Sequence, residues 1–459
     1  MARYPLPGYI TSQESRRKLI SSSPSGHRFL LYFRSWNIRD NEKRESLSEV
    51  CSQTEIEPRI LIAIMKRQFK AARTAGAYML SGKLTSPFVT GMGNPHPVEN
   101  GFSFLTPYGI PYLPGSSIKG VVRRAAEELA LMDDDSGWTI PKVWALFGFE
   151  AGSAYLTGKC EHLSEGWQDI FVKWVKDKAD NDNLLRAWLD IICPDKNRKE
   201  DEPERSPSEI LLSWIEEKGE NARKEIHYKG ILRFWDAFPS GDVKLDVDIM
   251  NPHHRGYYEG KNSPHDSEQP VPIFFLVMKP GAQFNFFIEA ENRLGLLDLV
   301  GDWKSLISEA FNYAFDWLGF GAKTSVGYGA FKRDTEAELR IEEERRAKLA
   351  RREADAKKHQ EEEEKRRLEK ELASMPVIDR LIRRIEMVAP DDTGQQFVNT
   401  ECLPKLDELE GEDRKRLAAA IMGFYQRIGK WEGKLSEKQK KKVQKIKEIL
   451  ELYFNELNQ

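Results

Sequence analysis

The sequence predicts an α+β fold of the ferredoxin-like type, with a helical insertion and an all-helical C-terminal extension. Strand-like runs at 77–90, 228–236, 242–249, 271–278, 283–290 and 326–332 interleave with two apolar-striped helical segments, 117–131 and about 297–317. That alternation suggests an antiparallel α+β sandwich. Beyond residue 334 strand patterns stop and helical periodicity takes over. The expected domains are an N-terminal segment (1–76) packing on the core and the core itself (77–333), with a helical insertion at about 133–226. A charged helical linker (334–375) and a small helical bundle (376–459) follow.

Each element has a local reason. Residues 59–75 carry helical periodicity and close at Gly76. A short strand follows at 102–106. Pro114-Gly115 makes a turn, and Ser116 or Ser117 can cap the next helix. The insertion is polar, dotted with tryptophan and net acidic, with helical patches at 184–192 and 210–217 and a solvated turn at 195–208. From Asp334 to Leu372 charges of both signs alternate without Gly or Pro, which predicts a solvated helical spacer. Met375-Pro376 ends it. Leu381, Ile382 and Ile385, then Leu417, Ile421 and Phe424, then Val443, Ile446 and Ile449 mark about three amphipathic helices.

Composition bounds the function. The 459 residues hold 70 basic and 73 acidic side chains, so a uniformly basic nucleic-acid coat is excluded. The charge is uneven: residues 1–130 carry 18 basic and 10 acidic side chains, net +8, which offers a face to a polyanion. Cys51, Cys160, Cys193 and Cys402 form no CxxC pair, which argues against a thiolate zinc site and fits a reducing compartment. The start, MARYPLPGYI, lacks a signal-like apolar core, and no apolar run is long enough for a membrane span. A soluble cytoplasmic protein is expected.

Four motifs carry chemistry. PYLPGSSIKGVVRR at 111–124 opens a helix whose free N–H groups favour a phosphate, with Lys119, Arg123 and Arg124 adding charge. The plain alternative is a capped helix with a basic face. GFGAKTSVGYGAF at 319–331 surrounds Lys323, Thr324, Ser325 and Tyr328 with glycine. There Lys323 can pair with phosphate, Thr324 and Ser325 can donate, and Tyr328 can stack on a base. The loop at 84–104 holds Gly91, Gly93, His96 and Glu99, and can cradle RNA or form a hairpin tip. Residues 230–260 read as a hairpin bearing Asp236, then a basic and aromatic loop with His253, His254, Arg255, Tyr257 and Tyr258 that suits single-stranded RNA. His253 and His254 are adjacent, so on a strand they point apart, and no metal site is expected.

These motifs, in this order, resemble the RAMP superfamily of CRISPR effector proteins. More narrowly, they are similar to the family of sixth subunits of type III-B (Cmr) complexes. The matching elements are Gly91-Met92-Gly93 with His96-Pro97, PYLPGSSIKGVVRR, FWDAFP followed by DIMNPHH and YY, VPIFFLV, and GFGAKTSVGYGAF. They span about residues 77–333. The resemblance implies an RRM-like RAMP core and a non-catalytic RNA-binding subunit near the 3′ end of the crRNA. It implies crRNA, target RNA and the backbone, small and terminal Cmr subunits as partners, with no cofactor and no membrane. The resemblance also implies a β-hairpin thumb, for which the segment around Asp242 to Gly260 and the insertion are both candidates.

The expected RNA contacts are Ser116, Ser117, Lys119, Arg123, Lys323, Thr324, Ser325, Tyr328, Gly91, Gly93, His254 and Arg255. The alternatives are a RAMP-type metal-dependent or processing endoribonuclease, a subunit of a type III-A (Csm) complex, and a pure scaffold. Glu99 and His96 are the nearest acid–base candidates, but two residues make no constellation. No histidine lies between His265 and His359, so the 319–331 loop has no base nearby in sequence.

Overall fold

The structure, a computed structural model, describes residues 13–33, 40–96, 99–132, 135–158, 166–193, 205–261, 263–265, 272–292 and 295–456. The N-terminal ten residues, Cys160 and the 195–204 part of the expected turn lie outside the described residues. The chain divides into two compact units, Met1–Glu342 and Glu343–Gln459.

The first unit opens with α1 (Gln13–Ser22), α2 (Ser25–Leu30), α3 (Asp40–Val50) and α4 (Ile56–Ala75). Strand β1 (Tyr78–Leu84) is followed by two small ladders, β2 (Pro95–His96) with β3 (Glu99–Asn100) and β4 (Phe104–Leu105) with β5 (Ile110–Pro111). The first core helix is α5 (Gly115–Met132). The insertion folds as α6 (Ile140–Phe147), α7 (Ala154–Thr157), α8 (Trp167–Lys178), α9 (Asn183–Ile192), α10 (Pro207–Ile215) and α11 (Glu220–Lys224). Then come β6 (Leu232–Phe234), β7 (Pro239–Gly241), β8 (Leu245–Met250), α12 (Arg255–Tyr258), β9 (Ile273–Met278) and β10 (Ala282–Ala290). Helices α13 (Leu296–Val300) and α14 (Trp303–Tyr313) precede β11 (Phe331–Arg333) and the long α15 (Thr335–Ser374).

The main sheet runs β11-β1-β10-β6, with β7 also on β10, and every described pairing is antiparallel. Counted along the chain that is the order fourth, first, third, second, with α5 after the first strand and α14 after the third. This is the ferredoxin-like topology. The alternating residues Leu80, Leu84, Phe284, Phe286, Ile288 and Phe331 join Ile118, Val122, Ile307 and Phe311 of the helices in one core. The second strand is split at 235–238. Pro239 has no N–H to give, and an edge strand tolerates the break. Ala237 pairs instead with Leu113.

Several sequence expectations shift. The strand expected at 77–90 ends at Leu84, and the one expected at 326–332 shrinks to Phe331–Arg333 behind a glycine turn. The helix expected at 297–317 breaks at Gly301 (φ 81°) into α13 and α14. The insertion's tryptophans face inward: Trp144, Trp188 and Trp214 are buried in the same core as the sheet, and Trp144 Nε1 donates to Tyr155 Oη at 2.9 Å. The linker expected from 334 begins inside the core unit. Ala337 is buried, Glu338 pairs with Arg333 at 3.0 Å, and the Ser81 amide donates to Glu338 at 2.8 Å.

Helix α4 packs on the sheet face opposite α5 and α14. Phe69 meets Phe287 edge-on at 5.1 Å, and Gln68 Nε2 donates to the Asp236 carbonyl at 2.6 Å. Phe29, Phe33, Leu47 and Val50 of the N-terminal segment share a smaller cluster with Phe102, Phe104 and Leu276. In the second unit, α16 (Val377–Met387), α17 (Asp392–Phe397), α18 (Gly411–Arg427) and α19 (Glu437–Glu456) enclose Ile385, Leu417, Ile421, Phe424, Val443, Ile446 and Ile449.

Candidate nucleic-acid interface

The start of α5 is set by sterics. A Cβ on Gly115 would lie 2.2 Å from the Phe234 carbonyl oxygen, so only glycine lets the helix begin against β6. The Gly115 amide donates to Asp236 Oδ1 at 2.7 Å. The helix therefore begins one residue before Ser116, and the cap comes from a carboxylate 121 residues away in sequence. Ser116 and Ser117 are exposed in the first turn rather than capping it. Lys119 is half-buried with Arg123 and Lys229 as charged neighbours; burial first, then those two cations, lower its pKa. A cation that is partly buried beside like charges gains from an approaching anion.

Arg123 does not fit the role expected of it. Its guanidinium pairs with Glu127 at 2.9 Å and Glu150 at 3.3 Å, and its side chain is 14% exposed. It ties α5 to the start of the insertion, and its charge is matched inside the protein. Arg124 likewise pairs with Glu128 at 2.6 Å and lies over the Trp167 ring.

The 319–331 loop folds back on its own chain. A Cβ on Gly321 would lie 2.1 Å from the Val89 carbonyl oxygen, and one on Gly329 1.9 Å from that of Phe320. These glycines serve close backbone packing rather than an open cradle; Gly327 alone of the two later turn positions, 327 and 329, has free space above it. Lys323 has φ 61°, the one non-glycine with positive φ among the described residues. Its Nζ lies 3.0 Å from Met250 Sδ and 5.4 Å from the Phe275 ring centre. No described carboxylate pairs with it. Thr324 is half-buried and Ser325 exposed. Tyr328 Oη donates to Asp248 at 2.7 Å, and burial with that bond pushes its phenol up to about 12. Its ring leans on Phe275, so Tyr328 is a wall of the loop more than a free stacking platform.

Met92, Met250, Ala322 and Tyr328 pack on Val89, Phe275 and Val277. The Gly91–Gly93 loop, the 319–331 loop and one face of the β8–β9 hairpin are thereby brought together. Gly91 is fixed by Ser103, which a Cβ would strike at 2.1 Å, whereas Gly93 faces open space. Lys119 is not part of this group. Its charged neighbours are Arg123 and Lys229, whereas Lys323 lies on Met250 and the Phe275 ring.

The β8–β9 hairpin forms its own two-stranded sheet, with α12 in its connection. Tyr257 and Tyr258 are 53% and 74% exposed there. The half-buried His254 has a shielded Nδ1 without a hydrogen-bond partner. The side chains of Arg255 and Glu99 lie outside the described part. His96 stacks on Phe29 at 3.9 Å and bonds the Phe29 carbonyl at 3.1 Å; burial lowers its pKa. It holds the N-terminal segment in place. Among the described residues no three His, Cys, Asp or Glu side chains group as metal ligands, and no described helix is long and apolar enough to cross a membrane.

One residue escaped the sequence reading. Trp317 is 78% exposed in the turn Ala314–Leu318, two positions before Gly319. The signal was present: Ala310, Phe311, Ala314 and Phe315 define the buried stripe, and position 317 falls off it.

The family model described as the RAMP superfamily matches residues 82–332, more than half of the chain. The chain belongs to the RAMP superfamily. This RAMP protein is 30% identical over 259 residues to the CRISPR system Cmr subunit Cmr6 of Pyrococcus furiosus, an alignment covering 54% of this chain and 65% of that relative. It thus spans just under two thirds of the relative's length. Among solved structures, the cryo-EM structure of the Type III-B Cmr-beta bound to cognate target RNA matches with TM-score 0.36 and 17% identity, covering 64% of this chain and 70% of that one. The crystal structure of Cmr6 from Pyrococcus furiosus matches with TM-score 0.25 and 26% identity, covering 56% of this chain and 98% of that one. Membership in the RAMP superfamily rests on the family model and not on these superpositions.

Proposed function

We propose that the chain is a non-catalytic RNA-binding subunit of a type III-B Cmr effector complex. It holds the crRNA backbone near its 3′ end, and its protein partners are the backbone, small and terminal Cmr subunits. The observation that carries the reading is Lys323: a cation held in a left-handed backbone conformation, against a thioether and a ring, without a carboxylate partner among the described residues. Such a conformation costs free energy and persists where the surroundings and a function require it. Lys119 with Lys229 supplies a second cationic site. The 30% identity to a Cmr6 protein supports the choice of complex. Against a nuclease role stands His96, which is stacked on Phe29 and has its Nε2 bonded to the Phe29 carbonyl at 3.1 Å.

Lys119→Ala combined with Lys323→Ala weakens crRNA retention for unrelated spacer sequences and flattens the salt dependence of binding. Losses that depend on the spacer instead indicate base readout. Incubating the purified chain with repeat RNA separates the readings: retention without cutting supports the binding subunit, and specific cleavage overturns it.

A further inference from the structure

The excess positive charge of residues 1–130 is only partly used by the motifs above, and α4 carries much of the remainder. Its inward side is Leu61, Ile64, Gln68 and Ala72. Its outward side bears Arg59, Lys66, Arg67, Lys70 and Arg73, all exposed. Positions 59, 63, 66, 70 and 73 follow helical spacing, so four of these cations line one ridge about 21 Å long at 1.5 Å per residue.

Among the described residues three of the four ridge cations go unanswered. Arg59 reaches Glu55 at 4.0 Å, but Lys66, Lys70 and Arg73 have no ion pair among the described residues. The helix's one acidic residue, Glu57, faces Ser25 and Thr54, whose N–H and hydroxyl it accepts. Like charges at i,i+4 cost a few tenths of a kcal/mol, and a helix that only needs solubility interleaves both signs. Helix α15 does so, with twelve basic and thirteen acidic side chains. Half of the six lysines in the basic run of α19 are answered from within: Lys445 pairs with Asp407 at 2.6 Å, Lys440 with Glu437 at 3.4 Å, and Lys442 donates to Asn399.

Two further observations point to an anionic occupant. The Arg67 guanidinium lies 5.9 Å from the ring centre of Tyr108, which is 37% exposed, so the ridge is flanked by an accessible aromatic. On the same sheet face, Lys83 of β1 and Lys332 of β11 are direct cross-strand partners, and both are exposed. Like charges so placed destabilise a sheet. The side of the sheet packed on α4 thus carries two sets of cations that are mostly without an ion pair among the described residues.

We propose that the outer ridge of α4, with Tyr108 beside it, is a second RNA-binding surface that follows a single-stranded backbone, separate from the α5 and Gly-rich-loop sites. This rests on the RNA-binding reading above and extends it to a face that none of the family motifs includes. The ridge presents exposed cations at a regular spacing along one helix, which suits a phosphate backbone more than a set of base edges, so binding is expected to be independent of sequence.

The test is a ridge variant, Arg59→Gln, Lys66→Gln, Lys70→Gln and Arg73→Gln together, in the full chain. All four side chains are exposed, and unchanged circular dichroism and melting establish that the fold is kept. Anisotropy is read with a fluorescein-labelled uridine homopolymer and an unrelated mixed RNA over a salt series. The expected result is roughly tenfold weaker binding to both, with the slope of log K against log salt reduced by about 3, from four phosphates at ~0.7 each. Photocrosslinking of 4-thiouridine RNA to the unaltered chain is expected to mark α4 or Tyr108. Unchanged affinity and slope, or crosslinks confined to other segments, overturns the ridge. If Lys119→Ala with Lys323→Ala then still weakens binding, the RNA-binding function survives without the ridge. If the unaltered chain binds neither RNA, both readings fall. A ridge variant that keeps RNA and loses an acidic protein partner makes the ridge a protein dock and also overturns the inference.

Discussion

Asp236 and the Gly115 amide meet at 2.7 Å, so the N-terminus of α5 already holds a carboxylate. The same helix end is where Lys119 gathers positive charge with Arg123 and Lys229. A phosphate arriving there meets both attraction and a fixed negative group. Asp236→Asn keeps an acceptor for the amide and removes the charge. It is expected to lower stability by about 0.5 kcal/mol, the size of a charge–dipole term, and to tighten RNA binding. Urea melts and anisotropy measure the two effects. Weaker RNA binding in this variant would show that the carboxylate positions the strand instead of opposing it.

Arg123 illustrates how a cation in a suggestive motif can be spent on the fold. Removing it leaves Glu127, whose side chain is 11% exposed and whose pKa burial already raises. Arg123→Ala is expected to cost about 3 kcal/mol, as a broken buried pair does. The double change Arg123→Ala, Glu127→Gln recovers part of that loss and leaves the salt dependence of RNA binding unchanged. Thermal and urea denaturation of the single and double variants, with the same RNA titration, decides it.

His96 gives the N-terminal segment a pH dependence of defined sign. Burial against Phe29 lowers its pKa below 6.5, opposed in part by the Phe29 carbonyl. Between the folded value and 6.5 the unfolded chain binds more proton than the folded one. The stacking contribution is therefore complete above 6.5 and is lost as pH falls through the folded value. Residues 25–30 are expected to become more susceptible to proteolysis as pH drops below 6.5. His96→Phe retains an aromatic contact and is expected to abolish that pH dependence. Protection that stays constant with pH in the unaltered chain would rule out this coupling.

The fold was legible because its elements have strong local signatures. The apolar stripes of α5 and α14 and the alternation in β10 fix the layers, and Gly76 closes α4 with φ 66°. The site was less legible because it depends on long-range pairings. Nothing local in GFGAKTSVGYGAF says that Gly321 and Gly329 pack on backbone, or that Asp248 holds Tyr328 from 80 residues away. The tryptophans of the insertion read as polar-segment decoration because their partners, such as Tyr155 for Trp144, come from separate short helices. Asp236 was visible as a hairpin residue, but its cap on Gly115 follows only from the broken edge strand.

Trp317 and Tyr328 exchange the roles that their sequence positions suggest. Trp317 leaves 78% of its surface in water beside the Gly-rich loop, an accessible ring on which a base can stack. Trp317→Ala is expected to weaken RNA binding by about 1–3 kcal/mol, the range for one lost base stack, and to shift stability by less than about 0.5 kcal/mol. Tyr328→Phe should do the reverse: RNA binding holds, while stability drops by about 1 kcal/mol with the Asp248 bond. Because the phenol is pushed from 10 up to about 12, that bond stabilises the protein fully below pH 10 and is lost as pH rises through about 12. Alkaline melts of the unaltered chain and Tyr328→Phe should therefore converge above that range. RNA titrations of Trp317→Ala decide the other half. If they match the unaltered chain while association with a neighbouring subunit weakens, Trp317 is a protein contact and the base-stacking role is wrong.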